Sequence, residues 1–168
     1  TKRGVRVTGS ELVGLIPLDA LTMAGRFYLK KQNSSLGVSK KEIIEVAVQS
    51  LGLNDLEKFN PTKKIIEYAI RSEGDKLVNL STSELIDEVS TNSPAPGGGS
   101  VSALLGSLSA SLCSMVASLT FQKKDYIKLR EEMSQLGVEA QSLKERLTDL
   151  IDEDTDAFNS IMLSNKLP

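Results

Sequence analysis

From Val89 to Gln122 the chain carries no Asp, Glu, Lys or Arg, and three consecutive glycines stand near the front of this stretch, in SPAPGGGSVSALLGSLS from residue 93. An uncharged segment of this length suits a helix buried in a bundle or a helix in a membrane. Seven serines between Ser100 and Ser118, with glycines and prolines ahead of them, favour the bundle. Ala103, Gly106 or Ser107, Ala110 and Ala117 recur at intervals of three, four and seven. They form a small-residue face that lets a partner backbone come near, while Leu104, Leu108, Leu112 and Leu119 put bulk on other faces.

Gly97, Gly98 and Gly99 each lose about 1 kcal/mol more backbone entropy than alanine on ordering. Their order needs a compensating close approach, of a ligand or of another helix. Ser100 stands where an N-cap belongs, and the amides before it offer a site for an anion. No Lys-Ser or Lys-Thr follows the glycines, and no strand leads into a GxGxxG, so neither nucleotide-binding loop is present. The glycines alone leave a packing turn and a ligand site both open.

The 168 residues bound one ordinary domain or two small ones. Val5 and Val7, then the run Leu12 to Ile16, read as one or two strands ended by Pro17. Leu18 to Leu29 has helical spacing. Ser39 and Glu42 form a capping box for a helix stopped by Gly52, and Asn60-Pro61 opens another with Ile65, Ile66, Ala69 and Ile70 on one face. RSEGDK, residues 71–76, marks a boundary between modules spanning 1–75 and 76–168. Beyond it Ser81 or Ser83 caps a helix, a long helix runs from Ser100 to about Phe121, and Tyr126 to about Leu163 is one helix or two, divided at Gly137. The expected fold is mostly α: a small α/β tail followed by an all-α helical bundle.

Composition narrows the chemistry. A net charge of -2 and 4% aromatics argue against nucleic-acid partners. Cys113 is the only cysteine, which fits a reducing, cytoplasmic setting, and its expected place is the core. The sequence contains no histidine, so acid–base work falls to Asp, Glu, Lys, Tyr or Cys. It opens without an apolar signal segment and without Met, as a processed product or an excised section would.

The last helix holds an anomaly. Its apolar stripe runs Leu143, Leu147, Leu150, Ile151, then Phe158, Ile161 and Met162, and stepping from Ile151 to Phe158 lands on Asp154. A carboxylate on the core face is expected to be buried, with its pKa raised toward a useful range for proton transfer. A rotated helix with Asp154 at a rim, or a structural pairing with lysine, are the alternatives.

SPAPGGGSVSALLGSLSASLCSMVASLT, with DEDTDAF and KLP later, resembles the opening of the cyclodeaminase domain of the formimidoyltransferase-cyclodeaminase family. GSELVGLIPLDAL, LGL and FNPTKKIIEYAI resemble the tail of its glutamate formimidoyltransferase domain, and the two halves stand in the family's order. The resemblance implies a folate enzyme of histidine degradation. Its transferase moves a formimino group to tetrahydrofolate. Its helical, homodimeric or higher-order cyclodeaminase closes the product to 5,10-methenyl-tetrahydrofolate, releasing ammonia without a metal. The family's large N-terminal transferase part, with its catalytic histidine, has no counterpart here, and the family's cyclodeaminase continues past Pro168.

On this reading Asp154 is the catalytic carboxylate, with Asp152 the fallback. Gly97, Gly98, Gly99 and Ser100 present backbone donors to the substrate. Lys123, Lys124 and Lys166 meet the folate's glutamate tail, polyglutamylated or not, unless they belong to solvated loops. Phe158 stacks on the pterin or packs in the core. No membrane insertion is expected. A methenyl-tetrahydrofolate cyclohydrolase, or a non-catalytic helical dimerisation module, are the competing readings.

Overall fold

Helices carry nearly all the regular structure in this computed structural model, which describes residue 4, residues 11–70 and residues 76–165. Pro17 precedes α1 (Leu18–Lys31), and Ser39 opens α2 (Lys40–Leu51) by accepting a hydrogen bond from the Glu42 amide at 3.2 Å. Gly52 closes α2 in the left-handed region at φ 68°, where a side chain would be strained. Leu21, Ile44, Ala47, Val48, Phe59 and Ile65 form the first module's core.

Helices α1 and α2 meet at Gly25, where a Cβ would overlap the carbonyl oxygen and side chain of Ile43. Gly25→Val is therefore expected to destabilise the chain by roughly 2–3 kcal/mol through overpacking, despite valine's better helix propensity. Urea denaturation followed by circular dichroism measures it.

The expected helix from Pro61 is interrupted. α3 (Pro61–Lys64) and α4 (Ile66–Ala69) flank Ile65, which is extended at φ -93° and ψ 125° and fully buried. The interruption serves a pairing: the Ile16 amide donates to the Lys64 carbonyl at 2.8 Å, and the Ile66 amide to the Ile16 carbonyl at 3.0 Å. This parallel bridge, Ile16 to Ile65, is the only β pairing among the described residues, so Leu12 to Ile16 is not a strand. Val5 and Val7 lie outside the described residues. The mostly α architecture stands, and among the described residues its β component is one bridge.

In the second module a 3₁₀ turn at Leu77–Asn79 leads to α5 (Thr82–Val89). Its capping box is complete: the Glu84 amide donates to Ser81 Oγ, and the Ser81 amide to Glu84 Oε2 at 2.8 Å; the Ser81 side chain first, and its amide second, hold the Glu84 carboxyl below its ordinary range. Two long helices follow, α6 (Gly98–Gln122) and α7 (Arg130–Ser164), the second continuous through Gly137. They run antiparallel: Ser100 meets Ile151 and Asp154, Ser107 meets Thr148, and Ser114 meets Gln141.

The small-residue face does what its spacing suggests. Ser100, Ala103, Ser107, Ala110, Ser114 and Ala117 are the buried residues of α6, and Leu147 of α7 packs onto Gly106. Serine hydroxyls inside this seam are all bonded: Ser107 Oγ lies 2.8 Å from Thr148 Oγ1, and Gln141 Nε2 donates to Ser114 Oγ at 2.7 Å.

The expectation that α6 is buried in a bundle is corrected for all but one of its faces. Leu105, Leu108, Leu112, Met115, Val116 and Leu119 are exposed, and so is Cys113. One partner helix can cover only one face, and α7 takes the narrow one. By length and composition alone α6 could cross a membrane.

Candidate functional site at the start of α6

Asp154 sits on α7 opposite the first turn of α6. Its Oδ2 accepts from the Ser100 amide at 2.9 Å and lies 3.2 Å from Ser100 Oγ. A Cβ on Gly99 would overlap both carboxylate oxygens. At Gly99 the close approach is thus supplied by a side chain of the same protein. The carboxylate satisfies one of the orphan amides at the helix start and lies at the positive end of the helix dipole. The anion site read from the sequence already holds an anion.

Two expectations change here. Ser100 is not the N-cap: α6 begins two residues earlier, with Gly97 as cap, and Ser100 completes the first turn. Its hydroxyl crosses the seam instead, donating to the Ile151 carbonyl at 2.8 Å and lying 3.1 Å from Thr155 Oγ1. Ser100 is 2% exposed. Asp154, by contrast, is exposed rather than buried in this chain. The stripe through Ile151 does not continue into it, because the helix turns enough to put Ile151 in the core and Asp154 at the rim. Ser100→Ala is expected to cost about 1–2 kcal/mol in stability, since it strands the bonds that tie α6 to α7. Thermal denaturation checks it.

Asp152 is committed elsewhere. Its Oδ1 accepts from the Leu77 amide at 2.7 Å, tying the 3₁₀ turn to α7. Glu153, also beside Asp154, is held ionised by a 2.5 Å ion pair with Arg146, which pulls its carboxyl below the ordinary range. Asp154 has no such cationic partner among the described residues.

A groove of about 490 Å³ runs beside the carboxylate, lined by Gly99, Ser102, Ala103, Leu147, Leu150, Glu153, Asp154 and Ala157. It has an apolar floor and two carboxylates at one edge, of which Glu153 is already paired with Arg146 and Asp154 is not. Ser102, Leu147, Leu150 and Ala157 were not among the sequence candidates. Their signal was present, as Leu147, Leu150, Asp154 and Ala157 recur at three, four and three along one helix face.

The remaining candidates scatter. Gly97 and Gly98 flank the turn, and Gly98 has nothing near its Cα side. Phe158 is half-buried one turn beyond Asp154 and does not line the groove. Lys123 and Lys124 are exposed at the far end of α6, about 37 Å along its axis from the glycines. One chain does not bring them to Asp154. Lys166 lies outside the described residues.

Two family models match along this chain. The family model described as "Formiminotransferase-cyclodeaminase" matches residues 81–168, and that described as "Formiminotransferase domain" matches residues 1–71. Formimidoyltransferase-cyclodeaminase of Rattus norvegicus is 37% identical over 164 residues, and that of Dictyostelium discoideum 34% over 165. In each case 96% of this chain is covered but only 30% of the relative. A methenyltetrahydrofolate cyclohydrolase of Methylorubrum extorquens is 33% identical over 90 residues, 54% of this chain and 43% of that protein. The seam, the glycine turn and these matches lead to one conclusion: the chain belongs to the formiminotransferase-cyclodeaminase family, joining the end of its transferase domain to the start of its cyclodeaminase domain.

Proposed function

We propose that this chain is a section of a bifunctional folate enzyme of histidine degradation. On this reading its second module contributes to formimidoyltetrahydrofolate cyclodeamination, the conversion of 5-formimino-tetrahydrofolate to 5,10-methenyl-tetrahydrofolate and ammonia. The observation that carries the proposal is the placement of Asp154: an exposed carboxylate oriented by Ser100 and admitted by Gly99, at the edge of a groove with an apolar floor.

In the reaction N10 of the folate attacks the formimino carbon, giving a tetrahedral carbon that bears N5, N10 and an amino group. N10 must then lose its proton and the amino group must gain one before ammonia leaves. A single carboxylate can do both in turn, accepting from N10 and donating to the departing nitrogen. The remaining five-membered amidinium is a delocalised cation, so Asp154, once again ionised, also stabilises the charge forming beside it. The backbone N–H of Ser100 holds one oxygen, leaving the other free to reach substrate. The reading requires no metal.

The uncovered leucine face of α6 supports assembly as a homodimer or higher homo-oligomer through the helical module. An antiparallel second copy of α6 would bring Lys123 and Lys124 of the partner subunit toward the Asp154 end, where the glutamate tail of the folate needs cations. Pairing along α6 with a helix as charged as α7 argues against bilayer insertion, since the bilayer would have to admit α7 too. A cytoplasmic location belongs to the same proposal.

The cyclohydrolase relative favours a second reading, in which water rather than N10 chemistry is handled at the same carbon. The match of residues 1–71 to the transferase domain supports the cyclodeaminase instead. Incubating the full-length protein with 5-formimino-tetrahydrofolate, with methenyl absorbance and free ammonia recorded together, separates them. Equal yields of both products are expected. Hydrolysis of added methenyl-tetrahydrofolate without ammonia production from the formimino compound would favour the cyclohydrolase. Absence of both reactions would leave the dimerisation module.

A further inference from the structure

The turn Ser34–Ser39, between α1 and α2, reaches across to the second module. Gly37 and Gly137 of α7 are both buried and touch backbone to backbone: a Cβ on Gly37 would overlap Gly137 and the Val138 amide, and a Cβ on Gly137 would crowd Gly37. The Gly37 carbonyl accepts from Ser114 Oγ at 3.0 Å and Ser118 Oγ at 3.1 Å, hydroxyls one turn apart on α6. The Leu36 amide donates to Ser134 Oγ of α7 at 3.2 Å, and Ser35 folds back to accept from the Gly37 amide at 3.1 Å. Lys40 and Glu145 pair at 2.8 Å at the outer edge.

The contact is concentrated. Cavities of about 760 Å³ and 370 Å³ lie on either side of the turn, both lined by residues of both modules. The bonds between modules therefore cluster at the turn rather than spreading over a broad apolar face. Gly137 sits mid-helix, where nearly any other residue would favour the helix more, and the structure gives a reason for glycine there: only a bare backbone admits the turn.

We propose that Ser34–Ser39 is an intramolecular docking element whose receptor is the α6/α7 pair at Ser114, Ser118, Ser134 and Gly137, and that this junction holds the two modules as one body. Its specificity comes from shape and from paired polar groups. The buried Gly37 carbonyl takes its hydrogen bonds from Ser114, 2% exposed, and Ser118, and has them only when the turn is seated. The inference does not depend on the proposed activity.

Hydrogen–deuterium exchange on the full chain tests it through the Leu36 and Gly37 amides. Gly137→Val is expected to raise their exchange about tenfold or more while the α6 and α7 amides around Ser100 and Ile151 stay protected. Ser114→Ala with Ser118→Ala removes both donors to Gly37 without adding bulk to either helix, and is expected to act in the same direction. Unchanged exchange at Leu36 and Gly37 in both variants would overturn the proposal. If Gly137→Val loses protection throughout α7, the serine pair decides: raised exchange confined to the turn supports docking, and unaltered exchange refutes it.

Discussion

Asp154→Asn is expected to lower the rate of methenyl formation at saturating substrate by about a hundredfold or more, the range in which a positioned proton-transfer group contributes. The amide keeps the volume of the carboxylate and can still accept from the Ser100 amide, so folding should change little. Asparagine cannot take the N10 proton and carries no charge to offset the amidinium product. The loss should fall mainly on kcat, because both effects act after substrate has bound. Oligomeric state, read by light scattering, should be unchanged. An Asp154→Asn protein that dissociates while the remaining subunits keep their turnover would assign the residue to assembly instead.

Legibility in the sequence divides along physical lines. The α6 seam could be read because small residues at intervals of three, four and seven admit only a close helix, and Ala103, Ser107, Ala110 and Ala117 do face α7. Caps could be read because they are local: Ser39, Gly52 and Ser81 each act within one turn of their helix. What failed was non-local. The break at Ile65 depends on Ile16, far away in sequence, and periodicity around Pro61 carries no trace of it. Gly137 looked like a weak break in α7, when its role is to meet Gly37.

The site was half legible. Asp154 stood out as a carboxylate in an apolar stripe, and the glycines stood out as costly to order. That the two features answer each other across the α6/α7 seam follows only from the helix pairing. The stripe misled about burial, since Asp154 and Ala157 line an open groove while Ile151 alone reaches the core. Composition could identify Lys123 and Lys124 as cations but not their distance from the glycines, which the unbroken length of α6 sets.

The claim on which the rest depends is that the first turn of α6 holds the Asp154 carboxylate in its working position. Gly99→Ala tests this without removing any functional group. The added methyl occupies the space of both carboxylate oxygens, so Asp154 must swing away from the Ser100 amide. Alanine's better helix propensity offsets part of the bond lost between Asp154 and the Ser100 amide, so the protein should stay folded with a stability loss of about 1 kcal/mol. The measurement is the turnover of 5-formimino-tetrahydrofolate by full-length Gly99→Ala protein, followed by methenyl absorbance. A loss of about tenfold or more, in a protein that still folds and melts cooperatively, is the expected result; parental turnover in that variant would contradict it.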